Sequence, residues 1–180
     1  VPDLDRVAVD RGPGSYTGIR IGIAIAKTLS LSLDVPAAGL DRFDLVAARV
    51  SLTGRFAPVL DTRRGHVGTA LFERAAPGQP ARRLTEDLSL TPAELLARLE
   101  GPTTLFGSGA ETYRETLGAH GGVSFAPDLA LVTPAAVALG AEAFPPGSLH
   151  QLLSAEDADA LVPIYLRATA AEEAKGPAAP

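Results

Sequence analysis

Apolar and polar positions along this chain alternate between short strand-like runs and longer helical ones, an order that predicts an α/β architecture. Arg6 to Asp10 reads as a strand, followed by a glycine-rich turn and a helix from about Thr17 to Leu33 that Asp34-Val35-Pro36 stops. Ala37 to Leu40 reads as a second strand. Asp41 suits the N-cap of a helix with Phe43, Val46, Ala47 and Val50 on one face. Ser51 to Gly54 is the best internal boundary. Beyond it, Phe56 to Leu60 and Val67 to Phe72 read as two strands joined at Asp61-Thr62-Arg63-Arg64-Gly65. Thr91-Pro92-Ala93-Glu94 combines an N-cap, a first-turn proline and an acidic third residue, so a helix starts there. Thr103 to Phe106 reads as a strand, Glu111 to Leu117 as a helix, and Pro134 to Phe144 as an alanine-rich helix. The Ala, Glu and Pro rich tail from Ala168 to Pro180 is expected to be disordered.

Within the helix after the glycine-rich turn, Gly18, Gly22, Ala26 and Ser30 recur every four residues and predict a ridge of small side chains that another helix can approach. Ile21, Ile25, Leu29 and Leu33 form an adjacent apolar row. Either both rows are buried in one domain or one of them serves a partner.

Composition narrows the classes. With 180 residues, 46% of them hydrophobic, the chain can bury a substantial core or two small lobes. No apolar run reads as a membrane span and no export signal is visible, so a soluble cytoplasmic protein is the expectation. The absence of cysteine excludes disulfides, thiolate metal sites and a cysteine nucleophile. A net charge of -5 and 5% aromatic residues argue against a surface that binds nucleic acid unaided. A chain that opens inside a strand-like segment reads as lacking an N-terminal piece.

Candidate chemistry centres on Gly12-Pro13-Gly14-Ser15-Tyr16-Thr17-Gly18. A glycine-rich strand-to-helix turn can cradle phosphate, which makes Gly12, Gly14 and Ser15 candidates, but the spacing is not that of a standard nucleotide loop and a tight structural turn is the alternative. Asp10 and Asp61 end strands, where carboxylates can hold metal or activate water, although turn capping is the simpler account of Asp61. His66, His120 and His150 lack partners at ligand spacing, and Ser15 lacks a nucleophile-elbow context, so no metal site and no catalytic residue is assigned.

Gly12 to Gly22, continuing through Ala26-Lys27 to Pro36, resembles the signature of the TsaB (YeaZ) family, with Tyr16 in place of the usual Phe. Asp61-x-Arg63-Arg64-Gly65-x-Val67 resembles the family's second hairpin, and Pro163-Ile164-Tyr165-Leu166-Arg167 its closing motif. His66 and Gly68 depart from that hairpin, standing where it usually has Glu and Tyr. The family normally begins with a strand, a hairpin and a long helix that would precede Val1. The resemblance implies an actin-like (ASKHA, ribonuclease-H-like) two-lobe fold. Residues 1–50 would be the remainder of an incomplete first lobe, and residues 51–167 the second lobe and a return to the first. It also implies a non-catalytic scaffold that pairs with TsaD, joined by the ATPase TsaE, for threonylcarbamoyl transfer to adenosine of ANN-decoding tRNAs. On that reading no cofactor is held by this chain, ATP is used by the wider complex, tRNA is met only through it, and a homodimer forms when TsaD is absent. The helix Thr17 to Leu33 would be the partner interface, with Gly18, Ile19, Gly22, Ile23, Ala26 and Ser30 as the contact residues. An independent actin-like enzyme, glycoprotease-like or nucleotide-hydrolysing, and a purely structural homodimer are the competing readings.

Overall fold

In the computed structural model, which describes residues 4–127, 137 and 151–166, the chain forms two sheets. The smaller has β1 (Val7–Asp10) parallel to β2 (Ala37–Leu40), with β10 (Gln151–Leu153) antiparallel on the far side of β2. Helix α1 (Tyr16–Leu33) connects β1 to β2. Ser15 caps its start by accepting from the Gly18 N–H at 3.3 Å, and Asp34 ends it in the left-handed conformation.

Helix α2 (Arg42–Arg49) follows β2 directly, with Asp41 as N-cap accepting from the Phe43 N–H at 2.8 Å. Its Phe43, Val46 and Ala47 pack on Phe56, Phe72 and Phe106 of the larger sheet, so α2 follows the small sheet in the chain but belongs to the core of the large one. Those four Phe side chains are fully buried, each burial favouring the folded state by roughly 1.5–3 kcal/mol.

The larger sheet is mixed. Its centre is β3 (Gly54–Arg63), antiparallel to β4 (His66–Thr69) and β5 (Phe72–Arg74) and parallel to β8 (Thr103–Phe106). The sequence reads Val67 to Phe72 as one strand; it is interrupted after Thr69. The gap falls opposite Pro58, which has no N–H to give, and the Thr69 hydroxyl donates to the Pro58 carbonyl at 2.8 Å. Edge strands β6 (Arg82–Arg83), β7 (Leu88–Leu90) and β9 (Val123–Phe125) complete the sheet. Helix α3 (Pro92–Ala97) carries the expected capping box of Thr91 and Glu94. The helix expected over 111–117 is two short ones, α4 (Ser108–Thr112) and α5 (Arg114–Gly118), broken at Tyr113. A 3-10 turn at Ala158–Ala160 lies against α1. The expected helix over 134–144, residue 137 apart, and the tail from 168 lie outside the described residues.

Two arginines of the large sheet grip the ends of α2. Arg74, buried, donates to the carbonyls of Ala47 at 2.7 Å, Leu52 and Gln79 at 2.8 Å and Val50, most of them at the helix C-terminus. Arg83 meets Asp41 at 3.2 Å, Asp44 at 2.8 Å and Asp87 at the other end. Burial outweighs the attraction of Arg83 and pushes the Asp44 and Asp87 carboxyls up to about 6.

Candidate functional site

The glycine-rich turn is held from within. The Gly12 N–H donates to Asp10 Oδ1 at 2.8 Å, and its carbonyl accepts from the Arg42 N–H at 2.8 Å. Gly12 has φ +103, and a Cβ there would stand 2.7 Å from Ile19 Cδ1 and 2.9 Å from the Ile164 carbonyl, so only glycine fits. The Arg42 guanidinium lies beneath Gly14, where a Cβ would come within 3.0 Å of Nη1. Ser15 spends its hydroxyl on the helix cap. Of the two readings of Gly12, Gly14 and Ser15, this arrangement favours the structural turn.

Asp10 is committed as well, since Oδ2 accepts from Arg42 Nε at 2.9 Å and Nη2 at 2.6 Å. Asp61 Oδ1 accepts from the Arg63 N–H at 2.8 Å and acts as a turn cap. His66 Nδ1 contacts the Arg64 carbonyl, and His120 Nδ1 accepts from the Gly122 N–H, each within its own turn. His150 lies outside the described residues. Among the described residues no group of three or more His, Asp or Glu is placed to hold a metal ion.

Helix α1 presents two unlike faces. Ile19, Ile23, Ala26 and Ser30 are buried, the first three packed with Ala37 and Leu161 over Val7 and Val9 of the small sheet. The Ser30 hydroxyl donates to the Val35 carbonyl at 2.6 Å. Four of the six residues expected at the partner interface, Ile19, Ile23, Ala26 and Ser30, are therefore buried within this chain, while Gly18 and Gly22 are not. The physical reason is helical drift. A four-residue step turns ~40° past a full helical turn, so a ridge that leaves solvent at Gly18 passes half-buried at Gly22 and enters the core by Ala26.

The opposite face is bare. Ile21 and Ile25 are each 55% exposed and Leu29 42%, and they continue to Leu33, with Gly18 and Gly22 beside them. No Asp or Glu occurs anywhere in α1. This apolar row was visible in the sequence; what the sequence left open is which of the two rows meets β1 and β2. On the flank away from that row, Tyr16 stacks on Tyr165 with centroids 5.1 Å apart, Arg20 Nε donates to the Tyr165 hydroxyl at 2.9 Å, and Lys27 Nζ donates to the Asp159 carbonyl at 2.8 Å. No helix among the described residues is long and apolar enough to cross a membrane.

Residues 1–175 match the family described as TsaD, tRNA N6-adenosine threonylcarbamoyltransferase. Over 174 residues the chain is 30% identical to the tRNA threonylcarbamoyladenosine biosynthesis protein TsaB of Escherichia coli (strain K12), covering 92% of this chain and 71% of that protein. It is 44% identical over 72 residues to the protein of the same name from Bacillus subtilis (strain 168), a match that spans 39% of this chain and 31% of that relative's length. A solved structure of an uncharacterised Pseudomonas aeruginosa protein with similarity to peptidase YeaZ superposes with a TM-score of 0.70 at 22% identity, over 92% of this chain and 75% of that one. A second structure, YeaZ from Pseudomonas aeruginosa, gives 0.65 at 22% identity. The fold is accordingly the actin-like, ribonuclease-H-like α/β fold of those structures.

Proposed function

The chain belongs to the TsaB (YeaZ) family and matches the TsaD-type domain over residues 1–175, and from that premise we propose that it is a non-catalytic scaffold for threonylcarbamoyl transfer to adenosine of ANN-decoding tRNAs, paired with TsaD. The observation that carries this reading is the uncovered apolar face of α1, on the helix that bears the family's signature. The contact residues on this reading are Gly18, Ile21, Gly22, Ile25, Leu29 and Leu33, not the inward row. An apolar row with two glycines beside it suits close approach of a second helix. Residues 1–50 act as part of a first lobe and 51–167 as a second lobe with a return to the first, α2 bridging them.

The non-catalytic part of the proposal is supported by the engaged state of Asp10 and of the glycine turn, whose polar groups already serve the chain's own structure. TsaE joins the pair and ATP is consumed in the wider complex. With a net charge of -5, tRNA is met through the assembly in the cytoplasm. The same α1 face serves a second copy when TsaD is absent, so the free chain is a homodimer.

Light scattering of the chain, alone and mixed with the TsaD of its source cell, tests this. Wild type should form the heterocomplex and Ile25→Asp should lose it. A complex unaffected by Ile25→Asp removes this face from the interface, and rescue of a strain lacking its own TsaB by the same variant removes the scaffold reading.

A further inference from the structure

The last described stretch, residues 161–166, reaches three bodies in succession. Leu161 is buried beneath α1, its Cδ1 in the space a Cβ on Gly39 would need. The Ile164 N–H donates to the Arg11 carbonyl at 2.8 Å, at the entrance to the glycine turn. Tyr165 stacks on Tyr16 and accepts from Arg20, whose Cζ lies 4.3 Å from the centre of the Tyr16 ring. Leu166 then crosses to the other lobe and packs against the core that α2 shares with the large sheet. Its Cδ1 occupies the notch that Gly68 leaves on β4; any side chain at position 68 would collide with it.

Helix α1 packs chiefly on β1, β2 and the 3-10 turn. Its first turn is therefore joined to the large sheet through Tyr165 and the next residue, Leu166. Resting on the reading that α1 carries the partner, we infer that residues 161–166 are a coupling strap, with Leu166 in the Gly68 notch relaying occupancy of α1 to the large sheet. Close-packed contacts shift between discrete seatings and do not deform smoothly. A partner seated on Ile21, Ile25 and Leu29 fixes α1 from one flank while Tyr165 holds it from the other, so the position of α1 sets where Leu166 sits. Gly68 has no side chain to repack, so the knob can enter or leave at the cost of its own contacts alone. Coupling of this kind is reciprocal: whatever seats Leu166 also favours the partner.

Amide hydrogen exchange on the full chain, alone and saturated with its TsaD, tests the coupling. The partner should slow exchange on α1 and, away from it, at residues 66–69 and in the strap. Leu166→Ala should keep the protection on α1, lose it at 66–69, and weaken partner affinity ~5-fold or more. Tyr165→Phe, which keeps ring and knob but removes the bond from Arg20, should weaken the remote protection in the same direction and serves if Leu166→Ala fails to fold. Protection on α1 with exchange at 66–69 unchanged in the wild-type chain overturns the coupling and leaves the partner reading standing. No protection on α1 at all overturns the partner reading, and the coupling with it.

Discussion

Arg42 donates from Nε and Nη2 to one oxygen of Asp10, at 2.9 and 2.6 Å, while the other oxygen of Asp10 accepts from the Gly12 N–H. This pair ties the end of β1, the glycine turn and the first turn of α2 into one unit. It also uses the carboxylate that a strand-end position would otherwise leave open to chemistry.

Asp10→Ala should therefore cost stability. It leaves a partly buried guanidinium and a Gly12 N–H without their acceptor, a loss of about 2–4 kcal/mol, readable as a lower urea midpoint. The modification activity of the reconstituted complex should fall only as far as folding does. An Asp10→Asn protein with an unchanged midpoint and no activity would give Asp10 a chemical role instead.

The elements that were legible in the sequence are those encoded locally. The Thr91 to Glu94 capping box marks the start of α3 within four residues of sequence, and Asp41 marks α2 in the same way. What was not legible depends on distant partners. β6, β7 and β9 are two or three residues long and exist because β5, β4 and β8 lie beside them. The helix over 111–117 breaks at Tyr113, and the alternating pattern carried no sign of that. The two faces of α1 depend on distant partners in the same manner: both rows could be read, but which of them is buried was decided by Val7, Val9 and Leu161, two of them on a strand and one far along the chain. The strap was hidden for the same reason, because the closing motif gives no hint that Leu166 answers Gly68.

Arg74 is a second test of how the large sheet holds α2. Its guanidinium is buried among four carbonyl groups with no carboxylate among those bonds, and a planar fork is required to reach them together. Arg74→Ala should destabilise the chain by about 3–5 kcal/mol, and Arg74→Lys should recover only part of that, because an ammonium cannot span the same acceptors. Equal midpoints for Arg74→Lys and wild type in chemical denaturation would mean that charge alone suffices there.

The cluster around Arg83 predicts an unusual response to pH. Asp44 and Asp87 titrate at about 6 when folded, above the ordinary carboxylate value of 3.8, with Asp41, Arg83 and Arg11 as the neighbouring charges. A carboxyl whose folded pKa is raised binds its proton more tightly in the folded state. Its contribution is fully present below about 4 and lost as pH rises through 6. Stability should fall with rising pH across that window, with a slope approaching ~1.4 kcal/mol per pH unit for each proton involved. Denaturation midpoints measured from pH 4.5 to 8 should show the decline, and Asp44→Asn with Asp87→Asn should flatten it. A rise in stability over the same range would contradict the burial argument.

The two faces of α1 give the sharpest contrast, because neighbouring isoleucines are assigned opposite roles. Ile23 is buried against the small sheet, so Ile23→Ala removes packed methyl groups and leaves a cavity, at a cost of about 2–4 kcal/mol. Ile25 points into solvent, so Ile25→Ala should change the stability of the isolated monomer by no more than about 0.5 kcal/mol. Partner affinity should reverse the order once corrected for the folded fraction: Ile25→Ala weakens the complex, and Ile23→Ala leaves the contact surface intact. Thermal melts at low protein concentration separate the first pair of effects, and titration with the partner separates the second. If Ile25→Ala destabilised the monomer as much as Ile23→Ala, the outer row would be covered by the chain's own structure and the interface would have to be sought elsewhere on the molecule.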